Sequence, residues 1–312
     1  MRRLPRFLTS KWFLSTACVV LVVLAGMWAG KACWDSRFFE GYVPGLPAKL
    51  VLRESEIRDD YRREAFTFEA QPGERVPVLA AYPLEAKGPL PCVIMLYGIG
   101  QKKEFLDEIA PAFTESGFVL MMPEQYTRGE RKVEGMSVPG EYLSLRRRAA
   151  LNVLETRRLI DTLETHEPID AKRIYLWGLS FGAICTPATM VHEPRLRAAV
   201  FTVGGGDLKR LLRESKGMED LGLMRRPLAA LLSSLLKPIE PVRHVGRISP
   251  RPVLMQNALR DEVIPRACAE ALHHAANDPK EIVWYDVAHE GSGRANVMKI
   301  MRDGVKWLAK RR

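Results

Sequence analysis

Gly178-Leu179-Ser180-Phe181-Gly182 sets a serine between two glycines, after an apolar run and ahead of the small or apolar residues Ala183 and Ile184. Residues 173–177 carry the aromatic and β-branched side chains of a buried strand. Strand, Gly-x-Ser-x-Gly turn and helix together make a nucleophile elbow, a sharp turn that lifts the serine hydroxyl above the sheet edge and tolerates no bulky Cβ beside it. The N-terminus of the following helix favours negative charge developing there. The competing reading is a glycine-rich turn with an ordinary serine.

A serine hydroxyl is a poor nucleophile until a base takes its proton, and that base needs a carboxylate to fix its tautomer. On this kind of elbow the chain order is serine, acid, histidine. Residues 252–256 read as a strand with Asp261 in the loop beyond it, and residues 281–287 read as another strand that leaves through Ala288-His289-Glu290-Gly291. Asp261 is therefore the expected acid and His289 the expected base. Two alternatives stay open for the acid. Asp261 suits a turn or N-cap ahead of a helix near Pro265, and Asp207 also follows an apolar strand, after Gly204-Gly205-Gly206. Glu262 points away from its neighbour on an extended segment. Of the six histidines, His166, His192 and His244 precede the acid loop, while His273 and His274 read as surface residues of a helix over 267–276.

The charge that builds on a carbonyl oxygen in such a reaction needs preorganised N–H donors. One falls to Phe181, directly after the nucleophile. The other falls to Ile99, in the turn Tyr97-Gly98-Ile99-Gly100 after a strand over 91–96, where Gly98 leaves the backbone free to turn the amide inward. A plain glycine turn between strand and helix is the alternative.

Tyr97 to Gly100, Gly178 to Gly182, Arg251 through Asp261 to Pro265, and His289 together resemble the α/β-hydrolase superfamily, in its dienelactone-hydrolase and acetyl-xylan-esterase-like branch. The resemblance runs from residue 50 to the C-terminus. It implies hydrolysis of a small-molecule or glycan ester, with Ser180, Asp261 and His289 as a triad and no cofactor. Such enzymes often carry His-Gly-x-Gly where this chain has Tyr97, a departure that touches the oxyanion turn and bears on substrate preference or catalytic strength. The same triad would also serve an acyltransferase or a peptidase. A non-catalytic binding protein on this scaffold is a further alternative, with Tyr97 its support in the sequence.

The surrounding pattern gives these residues a frame. Residues 66–69 and 77–82 flank the Gln71-Pro72-Gly73-Glu74 turn as a hairpin. Helical runs over 104–115 and 141–166 enclose a strand over 118–122, and residues 295–310 form a closing helix. In the second run Ala150, Val153, Leu154, Ile160 and Leu163 make one apolar face. Strands alternating with helices specify an α/β fold with a mostly parallel sheet flanked by helices, whose ligands bind at the carboxyl ends of the strands. Residues 207–247, rich in leucine and without a strand signal, read as a small helical cap insertion or as an elongated connection packed on the core.

The chain has 312 residues and a net charge of +10. Arg2, Arg3, Arg6, Lys11 and Lys31 near one end and Lys310-Arg311-Arg312 at the other supply most of the excess, so the balance excludes a nucleic-acid surface over the rest. No zinc-ligand spacing or phosphate loop occurs. Residues 12–30 hold nineteen uncharged positions, enough for a transmembrane helix. The basic residues ahead of them predict residues 1–11 in the cytoplasm, an uncleaved signal-anchor over 12–30 and a tether over 31–48. The hydrolase domain, 49–312, then faces the periplasm or exterior, with a cleaved signal peptide and a secreted protein as the alternative. The five cysteines give no disulfide framework.

Overall fold

The computed structural model describes residues 11–45, 48–85 and 88–311, so the expected cytoplasmic segment lies outside the described residues except for Lys11. The chain divides into two compact units at Glu40 and Gly41. The first holds α1 (Lys11–Ser36), which is long and apolar enough to cross a membrane. The helix continues to Ser36, so residues 31–36 of the expected tether are helical. Ala32 and Cys33 extend it without a breaker, and Lys31 pairs with Asp35 one turn on.

Among the described residues the second unit contains nine strands: β1 (Val51–Ile57), β2 (Tyr61–Gln71), β3 (Glu74–Pro83), β4 (Leu90–Leu96), β5 (Val119–Pro123), β6 (Ile169–Leu179), β7 (Leu196–Thr202), β8 (Val253–Arg260) and β9 (Lys280–Ala288). They form one sheet in the order β1-β2-β3-β5-β4-β6-β7-β8-β9. The first three strands pair antiparallel, and β3 pairs antiparallel with β5; every other pair is parallel. The helices are α2 (Leu106–Thr114), α3 (Val138–Leu163), α4 (Phe181–His192), α5 (Leu208–Glu214), α6 (Arg225–Leu235), α7 (Arg266–Ala275) and α8 (Arg294–Ala309).

This is the α/β architecture that the alternating pattern specifies. The central strand β4 is almost wholly buried, as a parallel strand covered on both faces must be. Val93, Met95 and Trp177 share one cluster with Ile109 and Phe113 of α2 and Ile300 and Val305 of α8. Ile94, Leu96 and Leu176 alternate with them and point to the other face. Burying this surface is the main favourable term for the fold.

Three elements differ from expectation. β1 was unsignalled in the sequence; it is an edge strand with mostly exposed residues, so it lacks an apolar alternation to read. β6 is longer than residues 173–177, because its polar first half still pairs with β4. His273 is buried rather than superficial: it shares a face of α7 with Ala269 and Leu272 and lies edge-on to the Trp284 ring at 5.7 Å. Residues 207–247 form α5, α6 and short 3₁₀ turns, burying Leu208, Leu211, Leu232 and Leu236 while Leu223 stays 98% exposed. Burial pushes the Cys185 and Cys268 thiols up to about 12, so both stay protonated and inert at neutral pH.

Burial also pulls the His192 and His273 imidazoles down to about 4, and lowers those of His166 and His244. An unfolded histidine titrates near about 6.5, so as pH falls through that value the unfolded chain takes up protons that the native chain refuses. Stability therefore declines across the window from about 6.5 down to about 4. Circular-dichroism melts should show the midpoint falling as pH drops through that window, and a smaller fall in His273→Gln; a flat profile contradicts the assignment.

Candidate active site

β6 ends at Leu179 and α4 begins at Phe181, so Ser180 alone makes the reversal from strand to helix. Its backbone takes φ 53° and ψ −113°, a region that non-glycine residues enter only at a cost of about 1–3 kcal/mol. Its N–H is fixed by the Thr202 carbonyl at 3.0 Å. The flanking glycines answer to close approach. A Cβ on Gly178 would lie 2.6 Å from the Ala183 backbone, and one on Gly182 would overlap the Leu96 carbonyl. Strand and helix can meet at this angle only with both side chains absent.

His289 leaves the end of β9 in a turn closed by the Gly291 N–H on the Ala288 carbonyl and by the Ser292 hydroxyl accepting the Ala288 N–H. Its Nε2 lies 2.9 Å from the Ser180 Oγ. Its Nδ1 lies 2.8 and 3.0 Å from the two carboxylate oxygens of Asp261, beyond β8. Asp261 Oδ1 also accepts the Val263 and Ile264 amides at 2.9 and 2.7 Å. The turn-capping role and the histidine-facing role fall on one side chain. Asp207 sits elsewhere, as the N-cap of α5, accepting the Arg210 amide.

The expected oxyanion donors flank the serine. Among the described residues neither the Ile99 nor the Phe181 amide has a protein acceptor. Gly98 packs close to Ser180, since a Cβ there would come within 3.4 Å of the Ser180 Cβ. Its N–H donates to Gln101 Oε1 at 2.8 Å. Tyr97 turns away from this surface and is wholly buried. Its hydroxyl donates to Glu124 at 2.7 Å and accepts the Gln125 amide, and its carbonyl accepts Gln125 Nε2. The departure from histidine at this position therefore ties the turn to the end of β5.

A family profile described as "Dienelactone hydrolase family" matches residues 76–292. The chain belongs to the dienelactone hydrolase family. The matched span contains Ser180, Asp261 and His289, and membership places the chain among the carboxylic-ester hydrolases. Esterase YjfP of Escherichia coli (strain K12) is 25% identical over 198 residues, covering 61% of this chain and 76% of that protein. Among solved structures, acetyl xylan esterase from Paenibacillus sp. R4 superimposes with TM-score 0.69 at 17% identity, over 90% of this chain and 93% of that one. Acetyl Xylan Esterase 1 from Thermoanaerobacterium sp. JW/SL YS485 does so with TM-score 0.63 at 20% identity, over 88% and 93%. These two share the α/β-hydrolase fold with this member of the dienelactone hydrolase family.

Sequence reasoning missed the polar chain beneath the serine. Trp177 Nε1 donates to the Thr202 hydroxyl at 2.9 Å, which donates to Gln256 Oε1 at 2.8 Å. Gln256 Nε2 in turn donates to the Ile300 carbonyl at 2.9 Å. Thr202 and Gln256 are polar positions inside the buried strands β7 and β8, a signal only once the strand neighbours are known. In this family member Gly182→Ala should destabilise the fold by about 1–3 kcal/mol through the overlap with Leu96. A thermal melt checks it, and an unchanged midpoint would mean that the elbow relaxes freely.

Proposed function

We propose that the chain cleaves carboxylic esters through an acyl-enzyme on Ser180. The Ser180 Oγ attacks the ester carbonyl while His289 Nε2 takes its proton. Asp261 holds the imidazole in the tautomer that leaves Nε2 free to accept, and stabilises the imidazolium that forms. The oxyanion of the tetrahedral intermediate is received by the Ile99 amide, in the turn after β4, and the Phe181 amide at the N-terminus of α4. His289 then gives its proton to the leaving alkoxide. Water, deprotonated by the same imidazole, attacks the acyl carbonyl and frees Ser180. No step of this scheme draws on a cofactor. The observation that carries it is the unbroken run from Ser180 Oγ through His289 to Asp261, at 2.9 and 2.8 Å. Small-molecule and glycan esters are the substrates in this reading, and the likeness to two acetyl xylan esterases favours acetylated sugars.

Ser180→Ala should abolish fluorophosphonate labelling and lower turnover of p-nitrophenyl acetate by at least about 10³-fold. Asp261→Asn should cost about 10³- to 10⁴-fold with the fold intact, because the amide favours the wrong tautomer. Labelling that persists in Ser180→Ala contradicts the scheme. Free acid, rather than transfer to an added alcohol, separates hydrolysis from acyl transfer.

We also infer that α1 is an uncleaved membrane anchor, with the residues after it outside the cytoplasm. Its support is the uncharged run over 12–30 behind Arg2, Arg3, Arg6 and Lys11. The full chain should sediment with membranes, resist salt and alkali, and be released by detergent. A soluble, N-terminally shortened product would instead indicate cleavage.

A further inference from the structure

Arg148, in the third turn of α3, is 0% exposed. Among the described residues no carboxylate lies within ion-pair distance of it. Its hydrogen-bond acceptors are all neutral. Nε donates to Gln125 Oε1 at 2.8 Å, Nη1 to the Ile99 carbonyl at 3.0 Å, and Nη2 reaches the Gly98 carbonyl at 3.4 Å. The guanidinium carbon also stands 5.0 Å from the centroid of the Phe181 ring. A buried charge without a counter-ion is costly, and an apolar side chain of similar volume would fill the same space more cheaply. Burial, reinforced by the charge of Arg128, pulls the Arg148 guanidinium down to about 10, which still leaves it cationic at neutral pH. Packing alone gives no reason for an arginine here.

Its contacts do. The Gly98 carbonyl and the Ile99 N–H belong to one peptide unit, and in a trans peptide the two point in opposite directions. The Gly98 carbonyl accepts both the Gln101 amide at 3.2 Å and Arg148 Nη2, so Arg148 shares in setting the plane of that unit, with the Ile99 N–H turned away from the guanidinium. The bond to the Ile99 carbonyl fixes the next unit as well, and Arg128 Nε donates to that same oxygen at 2.8 Å. On the other side, the ring that meets the guanidinium belongs to Phe181, whose backbone supplies the second expected donor. One side chain thus touches both residues from which an oxyanion would be held, and none of its contacts is to the triad. A buried positive charge with no carboxylate in ion-pair contact, behind the residues expected to donate, also raises the potential where negative charge would develop, in a site of low dielectric.

We propose that Arg148 is a positioning residue for the oxyanion site, setting the Gly98–Ile99 peptide and the Phe181 ring so that both amides face the reacting carbonyl oxygen. This rests on the acyl-enzyme mechanism above, and goes beyond it by assigning a residue on α3 that reaches neither substrate nor triad. Such a residue acts on the transition state, where the oxygen carries charge, more than on the bound ester.

The test uses the full chain with Arg148→Met and Arg148→Lys, and Arg147→Met as a neighbouring control on the exposed face of α3. Readouts are kcat and KM for p-nitrophenyl acetate, the inhibition constant of a trifluoromethyl ketone (whose serine adduct carries the oxyanion), and a thermal melt. Arg148→Met should lower kcat by about 10²-fold and weaken the ketone comparably, with KM within about threefold of the parent. Arg148→Lys should recover part of both losses, and Arg147→Met should lose neither. If Arg148→Met does not fold, the lysine variant decides, since it must still lose kcat and ketone affinity together. Unchanged kcat, or a kcat loss without weaker ketone binding, overturns the proposal. A parent protein that turns over no ester and leaves Ser180 unlabelled removes the mechanism itself, whereas an active parent with an unaffected Arg148→Met removes only the role of Arg148.

Discussion

A single residue must reverse the chain between β6 and α4, and the rest of the site is arranged around that reversal. Ser180 sits in backbone space that a side chain normally avoids, so something outside it must hold it there. Three things do. Thr202 on β7 accepts its amide, Gly178 and Gly182 let strand and helix approach within a distance that no Cβ survives, and the buried run Trp177–Thr202–Gln256–Ile300 fastens β6 to β7, β8 and α8. The strain is thus distributed over the centre of the sheet, where burial on both faces resists relaxation. The hydroxyl is left standing clear of the strand ends, with His289 and Asp261 arriving from the two loops on one side.

The opposite side of the serine is built differently. The turn that follows β4 is held chiefly by polar groups. Tyr97 bonds Glu124, and Glu124 is paired with Lys103 at 2.6 Å. Burial works against the Lys103 ammonium, yet its hydrogen bonds to Glu124 and Glu130 hold its pKa above the ordinary lysine value. Arg131 makes a two-pronged pair with Glu155 close by. Such buried ion pairs add little net stability, because desolvation consumes most of the attraction. What they supply is direction, since each fixes a backbone segment at a defined angle in a way that interchangeable apolar contacts do not. The acid loop has a similar tie, where Lys216 donates both its amide and its ammonium to Glu262, next to Asp261.

The leucine-rich insertion shows how composition can mislead by averaging. Its leucines divide between two environments: Leu208, Leu211, Leu232 and Leu236 complete the packing of α5 and α6, while Leu221, Leu223 and Leu231 face outward. His273 teaches the same lesson at one position, since its polarity suggested a surface while its spacing from Ala269 put it on the apolar face of α7.

Much of this molecule was written in local pattern. Alternating apolar runs and helical spacing specify the parallel sheet and its covering helices, because burial must follow period 2 in a strand and 3.6 in a helix. The elbow was legible because only glycines fit beside a strained serine, and the candidate acid and base were legible because strand ends collect on one edge of such a sheet. Tertiary structure alone decided which carboxylate meets His289, since Asp207 and Asp261 each follow an apolar strand and only the crossing of the chain separates them. It alone revealed the edge strand β1, which carries no apolar signature, and the polar chain under Ser180. It also placed Arg148, some thirty residues ahead of the serine in sequence, against the turn of Ile99 and the ring of Phe181. Hydrogen bonds and buried charges join residues distant along the chain, and no spacing rule encodes such a partnership before the backbone brings the partners together.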